Sequence, residues 1–159
     1  MIALKLNFLI ACKPLLLPIL AIILLSNAMT KAARPESRNF GTDLNGKSVR
    51  LAISGIHVVV LIFAATDCPL SKRSVPEIAR LQREFNQGVA FWWVYPNPSD
   101  KADAVRKLEK DFSIAAPALI DSRQDLVRMA HISVTPEVAV FAVENGELRE
   151  QYHGRIDDR

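Results

Sequence analysis

Two apolar runs constrain this chain more than any other feature. IHVVVLIFAA at 56–65 and GVAFWWVYP at 88–96 carry no Asp, Glu, Lys or Arg and are rich in β-branched and aromatic residues. A strand with one wet face alternates apolar and polar residues, whereas a strand covered on both faces need not, so these runs predict central strands. The segment between them, SKRSVPEIARLQREFN, has another period: Val75, Ile78, Leu81 and Phe85 recur at helical spacing, with Lys72, Arg73, Arg80, Arg83 and Glu84 largely elsewhere. Strand, amphipathic helix and strand form a βαβ unit, which implies a parallel central pair with a helix laid across it.

The rest of the chain extends this core. DLNGKSVRL reads as two short extended pieces around Asn45-Gly46. SDKADAVRKLEKDF repeats the helical pattern with Ala102, Val105, Leu108 and Phe112, behind Ser99 as N-cap. A short strand at PALI (117–120) and a small helix at QDLVRMAH follow, then EVAVFAV (137–143), a turn at Glu144-Asn145-Gly146-Glu147, and LREQYH (148–153) as a hairpin. The expected class is α/β, a mixed sheet with helices on its faces. With half of its 159 residues apolar and 23% charged, the chain has the composition of one globular domain.

Residues 1–28 read as a signal peptide. Lys5 and Lys13 lead into LLLPILAIILL, uncharged from Leu15 to Leu25, and Ser26 and Ala28 have the spacing of a cleavage site. The alternative is an uncleaved anchor, since the apolar run reaches back to Phe8, although Lys13, Pro14 and Pro18 interrupt it. LIAC at 9–12 has the form of a lipoprotein box, but too little apolar sequence precedes Cys12 and too much follows it. A polar linker at 29–38 and a domain at 39–159 complete the expected organisation. The implied location is periplasmic or secreted, with membrane attachment only if the leader is kept. Removing the leader lowers the formal charge from +3 to +1, which leaves no electrostatic case for nucleic acid. It also leaves Cys68 as the sole cysteine, so no internal disulfide can form.

DLNGKSVRLAISGIHVVVLIFAATDCPLSKRSVPEI resembles the opening of the redoxin branch of the thioredoxin-like superfamily, which includes the alkyl hydroperoxide reductase/thiol-specific antioxidant proteins. In that family a D-G-K turn and an apolar strand lead to W-C-P-x-C at a helix start, with a proline eight residues past the first cysteine, and Cys68 to Pro76 keeps this spacing. PALIDS and VRMAHISVTPEVAVFAVENGEL resemble the stretch that places a cis-proline opposite the active cysteine before the closing hairpin. The resemblance runs from about Asn39 to Asp157 and implies a thioredoxin-like mixed sheet, Cys68 as the redox thiol and Pro136 as the cis-proline. It also has three departures: Asp67 stands where tryptophan is usual, Ser71 stands at the second cysteine, and the chain stops at GRIDDR, before the family's last helix, which implies a partly uncovered sheet face.

The resemblance starts the helix just after Cys68, with Pro69 in its first turn, where a missing N–H is no loss. A thiol there would sit at the positive end of the helix, which favours thiolate. Local sequence signals a different start, because Ser74-Val75-Pro76-Glu77 has the form of a capping box. We adopt the earlier start, with a kink at Pro76. Asp67 would raise the thiol pKa, whereas Ser71, Lys72 and Arg73 would lower it. Asp67 and Glu137 are candidates for proton transfer, although Glu137 also reads as a solvated charge at a strand end. Thr135 and Pro69 are candidate substrate-binding residues.

With Ser71 in the second position, turnover at Cys68 needs an external thiol. The leading expectation is therefore an exported redox protein that uses one thiol for exchange with a protein disulfide partner or for peroxide reduction. A peroxidase of this family carries threonine three residues before the cysteine, whereas Ala65 stands there and Thr66 follows. The alternative is a non-catalytic scaffold gripping an extended peptide beside Thr135 and Pro136 by strand addition. Read on its own, Cys68 is equally a small buried hydrophobe and Pro136 a trans residue opening a strand. Trp92 and Trp93 read as packing on opposite faces. His57, His131 and His153 show no metal-ligand spacing. Neither cofactor nor metal is implied, and copper delivery, which needs two cysteines and a histidine, fits poorly.

Overall fold

The computed structural model describes residues 40–156. The leader, the linker and the final Asp157-Asp158-Arg159 lie outside the described residues. Among those described, no helix is long and apolar enough to cross a membrane.

The first run forms β3 (Val58–Phe63) and the second β4 (Val89–Tyr95), paired in parallel from Val58–Val89 to Phe63–Val94. β3 is central because its other edge pairs antiparallel with β6 (Glu137–Glu144), from Phe63–Glu137 to Val58–Ala142. β5 (Ala118–Ile120) joins β4 in parallel and β7 (Glu147–Gly154) joins β6 antiparallel, giving the order β5-β4-β3-β6-β7. β1 (Phe40–Thr42) and β2 (Ser48–Arg50) form a separate hairpin. Asp43 Oδ1 accepts the N–H groups of Asn45 and Lys47 at its turn, and Gly46 takes the left-handed φ of 79° that this turn requires.

Helix α1 (Pro69–Glu84) and helix α2 (Ala102–Phe112) cover the face of Ile62, Ala64, Trp93 and Tyr95. The opposite face buries Val59, Leu61, Phe63, Val94 and Phe141 with Leu51 and with Leu126 of the short helix α3 (Asp125–Met129). Trp92 and Trp93 divide between the two faces as expected. Trp93 is fully buried, while Trp92 donates its indole N–H to the Leu51 carbonyl. Val75 and Ile78 are buried as the helical stripe requires, but Phe85, the C-cap of α1, is half exposed. Phe112, at the end of α2, is 40% exposed.

One local expectation is corrected, and the earlier start adopted for the first long helix is observed. The N-cap of α2 is Lys101 rather than Ser99, whose N–H instead donates to Asn97 Oδ1 in the loop before it. Ser74 caps nothing: it lies inside α1 and donates its hydroxyl to the Leu70 carbonyl one turn back. The helix therefore starts at Pro69, with Pro76 carried inside it. Tertiary packing of Ser71 and Val75 outweighs the local capping box, whose contribution is of order 1 kcal/mol.

Candidate active site

β3 delivers the chain into a short loop, Ala64–Asp67, and Cys68 becomes the N-cap of α1 with extended backbone, φ −77° and ψ 116°. Its N–H donates to the Ala65 carbonyl and its carbonyl accepts from Lys72 N–H, so the thiol is fixed at the first turn. Pro69 is the first helical residue, as expected. Across from it, the Thr135-Pro136 bond is cis, and Cys68 Sγ lies 3.9 Å from the Thr135 carbonyl oxygen. The fold thus brings together Cys68, Pro69, Ser71, Thr135 and Pro136 from two segments far apart in sequence. Cys68 is neither packed away nor stripped of contacts: it is partly exposed and its sulfur is free.

The local field favours thiolate. Partial burial pushes the Cys68 thiol up, but hydrogen bonding from the Ser71 N–H and hydroxyl and from the Leu70 N–H outweighs it, even with Asp67 opposing. The net result is a thiol below its ordinary value. The origin is the one that any helix start supplies, unpaired N–H groups aimed at the first turn.

Ser71 does more than occupy the second position. It is 1% exposed, and its Oγ accepts the Ala65 N–H at 3.2 Å. The hydroxyl therefore ties the first turn of α1 to the loop that emerges from β3 while also facing the thiol. A second tie was not visible in the sequence. Asp100, 3% exposed, accepts both the N–H and the hydroxyl of Thr66 on Oδ1, joining the loop before Cys68 to the connection between β4 and α2. No local signal marks Asp100, which reads as an ordinary acidic residue ahead of a helix.

Glu137 differs from the expectation of a solvated charge. It is buried, at 8% exposure, and Oε2 accepts the N–H groups of Ser133 and Val134 at 2.9 and 3.3 Å. Its side chain fastens the segment that presents Thr135 to the thiol, because the N–H groups of Ser133 and Val134, just ahead of β6, have no strand partner and take this acceptor instead. Asp67 is exposed, adjacent to the thiol and opposed to its ionisation. An open groove of about 630 Å³ runs along this junction, lined by Leu70, Arg73 and Pro76 of α1 and by Val134, Thr135 and Pro136. Leu70 and Val134 expose about half of their surfaces on its rim.

The scattered histidines also rearrange. His131 and His153 both meet Glu150, at 3.0 and 2.6 Å, on a surface of their own, whereas His57 stands apart, exposed before β3.

A mixed sheet in this order, a cysteine capping the helix after the central strand and a cis-proline facing it define a thioredoxin-like protein. The match extends to sequence: the redoxin family model covers residues 28–158, and the chain belongs to the redoxin family. Solved structures agree on the fold. An uncharacterised conserved protein from Geobacillus kaustophilus is similar at 25% identity and TM-score 0.64, over 76% of this chain and 66% of that one. A secreted disulfide oxidoreductase of Mycobacterium tuberculosis homologous to Escherichia coli DsbE is similar at 14% identity and TM-score 0.60, over 76% and 85%. The exposed lipoprotein thioredoxin of Streptococcus pneumoniae is similar at 17% identity and TM-score 0.60, over 76% and 90%. No curated protein sequence matches the chain.

Proposed function

We propose that this chain is an exported thiol oxidoreductase that works through one cysteine. The observation that carries the reading is the placement of the Cys68 sulfur at the start of α1, 3.9 Å from the carbonyl that precedes a cis-proline. The Cys68 thiolate attacks one sulfur of a partner disulfide, and the Cys68–partner bond forms as the partner's own S–S bond breaks. The expelled partner thiolate takes up a proton. An external thiol then attacks the partner sulfur of the mixed disulfide, releasing Cys68 as thiolate and leaving the partner disulfide-bonded to the external thiol. The balance is one disulfide consumed and one formed, with Cys68 regenerated.

Ser71 cannot resolve the mixed disulfide from within, which is why the external thiol is required. The groove beside Thr135 and Pro136 suits an extended peptide carrying the target disulfide, its apolar side chains resting on Leu70 and Val134. Peroxide reduction is less well supported, since Ala65 stands where a threonine would assist and the Thr66 hydroxyl is committed to Asp100. Export rests on the leader at 1–28 and on the kinship in fold with proteins described as secreted or surface-exposed.

Intact-mass analysis of the reduced mature chain, residues 29–159, in which Cys68 is the one cysteine, after incubation with glutathione disulfide tests this reading. Cys68 is expected to gain one glutathione, to hold it until a free thiol is added, and to gain nothing in Cys68→Ser. A Cys68 that reacts no faster than a small free thiol would leave the fold as a peptide-binding scaffold. A parallel arm with limiting hydroperoxide, scored for sulfenic acid, separates exchange from peroxide reduction.

A further inference from the structure

His131 lies in the connection between α3 and β6, whereas Glu150 and His153 lie on the edge strand β7. One ligand atom from each of the three is within 4.8 Å of the other two. Glu150 receives both imidazoles, His131 Nδ1 on Oε2 and His153 Nδ1 on Oε1, and the two rings stand 5.9 Å apart.

This convergence depends on a backbone irregularity. Residues 150 and 153 are an odd number apart and would point to opposite faces of a regular strand. A bulge intervenes: Glu150 pairs with Phe141 and Tyr152 with Val140, which leaves Gln151 as the extra residue. The shift of phase puts His153, opposite Ala139, on the same face as Glu150. His131 completes the group from a left-handed backbone, φ 51°, a conformation that residues other than glycine adopt at a cost.

We propose that His131, Glu150 and His153 bind one divalent transition-metal cation of the zinc class, fastening the connection that leads to the cis Thr135-Pro136 bond onto strand β7. Two imidazoles and one carboxylate suit zinc, nickel or copper, whereas calcium and magnesium take oxygen ligands throughout. Tetrahedral zinc needs donor atoms about 3.4 Å apart. The side chains of His131 and His153 are 70% and 44% exposed and can rotate inward, while Glu150, at 25%, is the more enclosed anchor. Coordination would exchange the two histidine–glutamate hydrogen bonds for bonds to the ion, with solvent in the remaining positions.

Zinc titration of the full chain by calorimetry tests the site, alongside Cys68→Ser, His131→Ala and His153→Ala. One zinc is expected in the parent and in Cys68→Ser, with affinity at least ~10-fold weaker in either histidine variant. Cobalt in its place should give visible bands without a thiolate charge-transfer band. Absence of binding by the parent, or equal binding by the histidine variants, overturns the site. Loss of zinc in Cys68→Ser alone also overturns it, since the metal would then belong to the thiol. Circular dichroism confirms that each variant is folded; if a histidine variant is not, Glu150→Gln, which keeps the shape of the side chain, supplies the same comparison.

Discussion

The Ser71 hydroxyl accepts the backbone N–H of Ala65 at 3.2 Å while sharing the first turn of α1 with the thiol of Cys68. One oxygen thus serves both the anchoring of the reactive loop and the electrostatics of the sulfur, and the two roles are read by different measurements on one variant.

Ser71→Ala removes the acceptor of a buried N–H, at a cost of about 1–3 kcal/mol, and withdraws one of the groups that lower the thiol. The pH profile of Cys68 alkylation should move to higher pH, and the urea midpoint should fall. A profile that does not move would remove the hydroxyl from the stabilisation of the thiolate.

The lowered thiol also gives a pH dependence of stability. The folded chain holds the thiolate more readily than the unfolded chain, so the stabilisation is fully present above the unfolded pKa and is lost as pH falls through the folded one. Denaturant midpoints at about pH 6 and about pH 9.5 bracket that window. The parent should gain on Cys68→Ser between them.

Ser71→Cys restores two thiols across one helical turn. Oxidation should then close an internal disulfide, read as the loss of two hydrogens in intact mass, and the long-lived mixed disulfide of the parent should give way to rapid release of the partner. Persistence of the mixed species would mean that the second position cannot reach Cys68.

Asp100→Ala unpairs the N–H and hydroxyl of Thr66 at the approach to Cys68. A loss of about 1–3 kcal/mol is expected in chemical denaturation. Thr66→Val, which deletes only the hydroxyl, should cost less.

Glu137 separates positioning from proton transfer. Glu137→Gln keeps an acceptor for Ser133 and Val134 and should retain the exchange rate at Cys68, while Glu137→Ala should lower stability by about 1–3 kcal/mol and slow exchange. If exchange in the glutamine variant falls as far as in the alanine variant, the carboxylate itself takes part.

The sequence by itself determined the sheet and its order of elements. Unbroken apolar runs at 56–65 and 88–96 have one stable use, as strands covered on both faces, and the period of Val75, Ile78 and Leu81 makes the segment between them a covering helix. Cys68 and Pro136 could be singled out only through the family resemblance, since read on their own they are equally a small buried hydrophobe and a trans residue opening a strand. What only the tertiary structure decided depends on contacts between residues distant in the chain. The burial of Glu137 and the clasp of Asp100 on Thr66 follow from which polar groups the packed sheet leaves without partners. The meeting of His131 with His153 follows from a bulge at Gln151, since one extra residue reverses the face of a strand and leaves no mark in its composition.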